Sequence, residues 1–533
     1  MFDPSSRALL RQAPDLPGLD PETLDELLTA AHIELATVRL LSREGGPEAA
    51  SDVLDRVRRL ASTFEAYVAL NLRPEQTRAA AFVAACAHQI LSRVRETVSG
   101  RPTVVSGDAI GSSISATLLF LIADRAADAA EVAGQLRAKG EGRAVRRSLI
   151  LSVRELATSN LTTLIERDLS DDPIATGDSR EVATDLLLRE CAYVVQGLGQ
   201  EARGRVVSDP DIRLRLKRVI RLSEASEVEI DPALEGTVHH QFAGPHHLAT
   251  LLSRLVDGMQ AAMLVRLPTP SGAQANTWTD WLLSQTHSRP FLWINHLKAV
   301  RTGYLDRGKS MVMTSPTGSG KTTLSVLKIA ATLSAGESVV YLAPTHALVD
   351  QVETDLSAQI GDLESVSVVE DVALDELGDR LPPFSVMTPE RCLALLGFAP
   401  ELFDNVGLLV FDEFHLISAD DPATSSKVSA RAIDAMLALL TFLRRRKEAD
   451  LLLLSAMVAN GAEIARWLQA VTGREVEAFD DPWKPTRQLR SCVIYNRSDV
   501  LEAEKAASKA KTQAARSRVP AQPLGLFSLI SGW

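Results

Sequence analysis

Apolar positions follow two rhythms along the 533 residues, and the change of rhythm divides the chain. Up to about residue 265 they recur three and four apart, as at Leu24, Leu27, Leu28, Ala31, Leu35 and Val38. These residues follow Asp20-Pro21, a cap with proline in the first turn. The same spacing predicts helices around 53–70, 77–94, 115–133, 149–165, 184–195 and 248–264. Turn residues separate them, as at Ser99-Gly-Arg-Pro102 and Ser208-Asp-Pro210. No internal repeat is evident. At Leu267-Pro-Thr-Pro-Ser-Gly272 the helical pattern breaks, and short apolar runs then alternate with amphipathic helices. The runs fall at 311–314, 338–342, 366–369, 385–387, 408–411 and 451–454, which predicts a parallel sheet with helices on both faces. The expected order is a mostly α-helical domain over 1–267, a linker over 268–285 and an α/β domain over 286–500. In such a sheet ligands bind beyond the carboxyl ends of the strands.

Chemistry-bearing residues cluster at those ends. The first run leads into Ser315-Pro-Thr-Gly-Ser-Gly-Lys-Thr322, a glycine-rich turn opening a helix. Backbone N–H groups of Gly318, Ser319 and Gly320 can converge on a phosphate there, with the helix dipole behind them. Lys321 would reach the β- and γ-phosphates, and the Thr322 hydroxyl would ligate Mg²⁺. Ser315 stands where the usual pattern begins with glycine, and the plain alternative is a turn before a helix. About ninety residues on, the run at 408–411 ends in Asp412-Glu-Phe-His415. Adjacent carboxylates at a strand end suit a Mg²⁺-nucleotide site, Asp412 holding the metal and Glu413 polarising the attacking water. A solvated strand end is the bland reading of that pair; the phosphate loop upstream favours the chemical one.

The remaining strand ends carry hydroxyls. Ala343-Pro-Thr-His346 and Thr388-Pro-Glu-Arg391 place Thr345, Thr388 and Arg391 at helix starts, where they can meet a sugar-phosphate backbone or simply cap helices. Ser455-Ala-Met457 ends another strand beside the presumed nucleotide.

Taken in order, these stretches resemble the motifs of a superfamily-two DExD/H-box helicase over roughly residues 285–500. Ser315, Pro316, Thr317 and Gly318 through Thr322 resemble motif I, and 343–351 motif Ia, with Pro344 and Thr345. Thr388, Pro389 and Arg391 resemble motif Ib, 412–415 motif II and 455–457 motif III. The resemblance implies a RecA-like P-loop NTPase that uses ATP and Mg²⁺ and touches DNA or RNA through motifs Ia and Ib. It also implies coupling of nucleotide state to strand movement by Ser455 and Met457, to which His415 of motif II is joined. His296, in Leu292-Trp-Ile-Asn-His296, takes the adenine-reading position, where glutamine is usual. The DExH form and the stretch 459–468 look closest to the Ski-like branch. Such a motor has a second RecA-like domain with arginine fingers. No second motif set follows motif III, so 501–533 reads as a basic tail and the start of that domain, or the domain belongs to a partner chain.

Composition changes this picture little. Hydrophobic residues form 46% and charged residues 23% of the chain, against both disorder and a membrane protein. With no signal pattern or spanning run, a cytoplasmic location is the default. Four dispersed cysteines argue against a disulfide framework or zinc site. The net charge of −11 speaks weakly against a nucleic-acid coat, but a motor needs only a local groove of phosphate contacts. Histidines at 239, 240, 246 and 247 suggest a surface loop rather than a metal site. The basic stretches 213–221 and 444–447 read as solvated helix faces. Trp278 and Trp281, three apart, are expected to pack the helical domain against the motor. That domain is expected to serve as an accessory, regulatory or partner-binding part.

Overall fold

The computed structural model describes residues 3–16, 21–42, 51–71, 73–99, 104–205, 211–224, 226–229, 237–240, 242–373, 376–415, 430–456, 458, 460–485, 491–510 and 523–528. Helices dominate up to residue 262, running through Pro21–Ser42, Ser51–Leu70, Pro74–Ser99, Ser179–Ala202 and Ala243–Ala262 among others. They enclose a continuous apolar core of their own that includes Phe64, Phe82, Leu118, Leu149, Val194 and Leu252. Two expected helices are each split. The pattern at 115–133 is interrupted after Ile122 by Asp124 at φ 57°, and that at 149–165 after Ala157 by Ser159, also at φ 57°. A left-handed residue ends an α-helix while the apolar spacing runs on, so periodicity alone cannot see the corner. The helical region also contains one antiparallel ribbon, β1 (Ser226–Glu229) with β2 (Thr237–His240), where the histidine-rich stretch begins.

Beyond it lies a seven-stranded, fully parallel sheet. Its strands are β3 (Ser310–Thr314), β4 (Ser338–Leu342), β5 (Val366–Val368), β6 (Phe384–Met387), β7 (Val406–Phe411), β8 (Asp450–Ser455) and β9 (Val476–Asp480), in spatial order β5-β6-β4-β7-β8-β3-β9. The five inner strands are buried along their whole length, as expected for a parallel sheet covered on both faces. Successive side chains point to opposite faces, so each strand feeds two cores. Met311, Met313, Leu408, Val410, Leu452 and Leu454 enter one, while Val312, Leu409, Phe411, Leu451 and Leu453 enter the other. The short β5 and the alternating β9 form the edges.

The segment 268–285 departs from the linker reading. Its prolines and glycine do break the chain, but Ala275–Gln285 is a helix whose Trp278 and Trp281 are buried in a motor core. Trp281 Nε1 donates to the Gln359 carbonyl at 3.0 Å, so the pair packs within the motor. Farther on, β10 (Ser491–Tyr495) pairs antiparallel with β11 (Pro523–Ser528) and does not extend the main sheet.

The base of the sheet holds a buried charge network. Lys328 Nζ lies 2.7 Å from Asp450 Oδ2 and donates to the Asp306 carbonyl at 2.8 Å. Arg474 pairs with Asp450 Oδ1 at 2.5 Å, and the Gly308 amide donates to the same carboxylate. Burial lowers the Lys328 pKa, with Asp450 opposing it.

Candidate nucleotide site

The phosphate loop joins β3 to the helix Lys321–Ser334, over the carboxyl edge of the sheet. Gly320 is the N-cap at φ 85°, and a Cβ there would lie 2.3 Å from His296 Nε2, so both backbone and space require glycine. Gly318 is also left-handed, at φ 78°, and faces open space. The loop is anchored from below and behind. Ser315 N donates to the Ser455 carbonyl at 3.1 Å, tying motif I to β8, and Asn295 Nδ2 donates to the Ser319 carbonyl at 2.6 Å. Lys321 Nζ folds back on the Ser315 carbonyl at 2.9 Å. Burial lowers the lysine pKa, and Glu413 and Asp412 oppose that shift. The Ser315 and Ser319 hydroxyls are buried without a hydrogen-bond partner. Thr317, Gly318 and Thr322 are exposed and Pro316 half-buried, leaving the outer rim of the loop open.

Motif II stands across from this loop. Asp412 follows β7, and its Oδ2 accepts from the Tyr341 hydroxyl at 2.9 Å. Burial raises the Asp412 pKa, while Tyr341 pulls it down. Glu413 is held at φ 47°, a left-handed conformation uncommon for a glutamate, with its amide donating to Asp412 Oδ1 at 2.9 Å. His415 Nδ1 lies 3.1 Å from Glu413 Oε2 and 3.3 Å from Ser455 Oγ. One imidazole thus joins motifs II and III. Met457, the other expected coupling residue, lies outside the described residues.

His296, given the adenine-reading position by the resemblance, lies beneath the phosphate loop. It is buried, stacks on Trp293 with ring centroids 5.1 Å apart, and accepts from the Trp293 amide through Nδ1 at 3.3 Å. Nε2 faces Ser319 and Gly320 from below. Burial, helped by Arg289, pushes its pKa down to about 3, so the ring is a neutral prop under the loop.

The motif Ia and Ib residues are largely occupied by the fold. Thr345 caps the helix His346–Ile360 by accepting from Leu348 N, with Pro344 half-buried before it. Thr388 and Pro389 are buried. The Thr388 hydroxyl donates to Glu370 Oε1 at 2.8 Å, and the Arg391 guanidinium holds the carbonyls of Val369 and Val372. Glu370 also lies 3.6 Å from His346 Nδ1, which links the two motifs. Of these, Thr345 and Pro344 reach the surface, whereas Thr388, Pro389 and Arg391 shape the loop beneath it.

Asn295, Tyr341 and Glu370 are the partners that motif spacing did not reveal. Each meets its target from a distant part of the chain, and only Asn295, next to His296, lay in a stretch already singled out. The other candidate signals are structural. Cys86, Cys191 and Cys392 are buried, and among the described residues no group of three or more His, Cys, Asp or Glu is placed to hold a metal. His247 instead shares the buried Glu65 carboxylate with His88, each at 3.0 Å. Arg213 and Arg215 pair with Asp257 and Glu190, and Arg445 with Asp404. No helix among the described residues is long and apolar enough to cross a membrane.

The Tyr341 contact carries a prediction. Tyr341→Phe removes a hydrogen bond to the carboxylate assigned to Mg²⁺, which at ~1 kcal/mol corresponds to about a fivefold rise in the Mg²⁺ concentration for half-maximal ATPase. A Mg²⁺ titration checks it, and an unchanged midpoint would refute the role.

Comparison with known proteins agrees with this geometry. The family model for the DEAD/DEAH box helicase matches residues 295–464. The ATP-dependent DNA helicase Hel308 of Aeropyrum pernix is 30% identical over 34% of this chain and 22% of its own length. Hel308 of Methanocella arvoryzae is 26% identical over 40% of this chain and 28% of its own. The probable helicase HelY of Mycobacterium tuberculosis is 26% identical over 33% and 18%. The matched part thus spans less than a third of these relatives. The solved structure of helicase MrfA bound to DNA and AMPPNP overlaps at a TM-score of 0.33, with 18% identity over 46% of this chain and 37% of that one. With motifs I and II facing each other over a parallel RecA-like sheet, residues 295–464 are a DEAD/DEAH box helicase domain of superfamily two.

Proposed function

We propose that this chain is the first motor half of an ATP-dependent nucleic-acid helicase or translocase. The observation that carries the reading is the bridge Glu413–His415–Ser455, which joins the residue placed to activate water to the strand that anchors the phosphate loop. The loop fits a triphosphate: its glycines have the required conformations, its rim is open, and two buried serine hydroxyls lack partners. Thr322 and Asp412 would hold Mg²⁺, which neutralises phosphate charge when bound. Lys321 would exchange the Ser315 carbonyl for phosphate oxygens, and Glu413 would orient and deprotonate water. Left-handed backbone at Glu413 aims that carboxylate, and His415 relays its position to β8.

DNA is favoured over RNA as the track, because the Hel308 relatives are DNA helicases by name. Pro344 and Thr345, both half-buried, would supply the contact at the surface, with Thr388, Pro389 and Arg391 acting through the loop they support. A second RecA-like domain, in the same protein or a partner chain, would complete the site with arginine fingers. A cytoplasmic location and a Ski-like affinity complete the reading. Steady-state ATPase assays with single-stranded DNA, duplex DNA and RNA test it. Stimulation by DNA and its loss in Lys321→Ala are expected; turnover persisting in that variant would refute the assignment.

A further inference from the structure

A fully buried cation of the helical region reaches into the motor. Arg125, only 1% exposed, precedes the helix Ala126–Ala133, and its guanidinium lies 5.2 Å over the Phe82 ring of the helical core. Nη1 donates to the Lys484 carbonyl at 2.9 Å, in the turn that follows β9, and Nη2 donates to Ser5 Oγ at 3.3 Å. Ser5 belongs to the first helix, Pro4–Leu10, whose cap Asp3 is itself buried. An arginine is seldom buried this deeply unless its donors are engaged, and an irregular turn has no sheet ladder to satisfy its carbonyls.

The same turn leans on the support of the phosphate loop. Trp483, buried next to Lys484, meets Trp293 at a centroid distance of 5.5 Å, and Asp481 Oδ2 accepts from Lys298 Nζ at 2.8 Å. Trp293 and Lys298 flank Asn295 and His296, which hold the loop from below. A Cβ on Gly320 would come within 3.1 Å of the Trp293 ring and 2.3 Å of His296, so both rings lie directly against the loop. Contact therefore runs unbroken from Arg125 to Lys484 and Trp483, on to Trp293, and up to Gly320. Close-packed interiors transmit strain from one side chain to the next.

We infer that Arg125 is a positioning residue of the nucleotide site, through which the helical region sets the seat of the phosphate loop. The inference rests on the phosphate-loop reading above. It gives the helical region a role in phosphate capture that needs no contact with the ligand. Loss of the Arg125 contact weakens every ligand that uses the amides of the loop, with or without a base. By linkage, ligand binding strengthens the contact by the same factor.

Calorimetry on the full chain tests this with two ligands, ADP and inorganic tripolyphosphate. Arg125→Met keeps the bulk of the side chain and removes its donors, while Trp483→Leu breaks the chain of contacts on the motor side. Each should weaken both ligands about 3- to 30-fold, the range for residues along a coupled network. The double variant should lose little more than the larger single loss, since one path is then broken twice. Arg125→Lys, which keeps a donor, should recover part of the affinity. Leu216→Ala, in the buried face of the helix Ile212–Ser223 packed on Ser179–Ala202 and Ala243–Ala262, should lower the melting temperature and leave both affinities within about twofold. Where ligand-free melting shows that one single variant does not fold, the other carries the result. Unchanged affinities in a folded single variant, additive losses in the double variant, or a loss for ADP alone overturn the inference, as does an equal loss in Leu216→Ala. Tripolyphosphate binding that survives Lys321→Ala would instead overturn the phosphate-loop reading beneath it.

Discussion

Glu413→Gln is expected to reduce ATP turnover about 10²–10⁴-fold, the range for removing a positioned general base. Nucleotide affinity should change little, because the amide keeps the shape of the side chain and Lys321 still meets the phosphates. Pre-steady-state ATP hydrolysis together with an ADP binding isotherm separates the two effects. The variant also retains the backbone that orients position 413, since Asp412 Oδ1 accepts from its amide and not from its side chain. A drop in affinity matching the drop in turnover would mean that Glu413 builds the site and does not act on water.

The second large effect lies at the base of the sheet. Asp450→Ala would leave Lys328, almost fully buried, and Arg474 without their shared carboxylate. Breaking a buried pair from one side typically costs about 3–5 kcal/mol, because the surviving charge stays desolvated. Denaturant unfolding followed by tryptophan fluorescence should show that loss in the motor. Lys328→Met with Asp450→Asn together should recover part of it, as a neutral pair lacks the stranded charge. Equal destabilisation by the single and double variants would refute the electrostatic account.

Local chemistry was legible in the sequence, and long-range partnership was not. The phosphate loop announces itself because Gly318, Gly320 and Lys321 act through their own backbone and immediate neighbours. The inner strands announce themselves because burial on both faces demands unbroken apolar runs. Tyr341 shows the opposite case. It sits in such a run as one more apolar residue, and its hydroxyl gains meaning only when β4 and β7 lie side by side. Thr388 and Arg391 stand at a helix start that suits either a sugar-phosphate backbone or a cap; the structure engages both with the loop after β5, through Glu370 and two carbonyls. Likewise His296 occupies a position suggestive of base reading, but stacking on Trp293 and closeness to Gly320 make it a support. The split helices and the helix inside 268–285 were hidden because a single left-handed residue, or a tryptophan pair with two possible cores, leaves the apolar spacing unchanged.

The hydrogen bond from Lys321 to the Ser315 carbonyl bears on the readiness of the phosphate loop. A loop that satisfies its own ammonium internally holds that side chain in place beside the left-handed glycines, so the receptor's shape is set by the chain itself. Because the lysine trades a neutral carbonyl oxygen for anionic phosphate oxygens, capture would replace an ordinary acceptor by a charge-assisted one without first having to order the side chain.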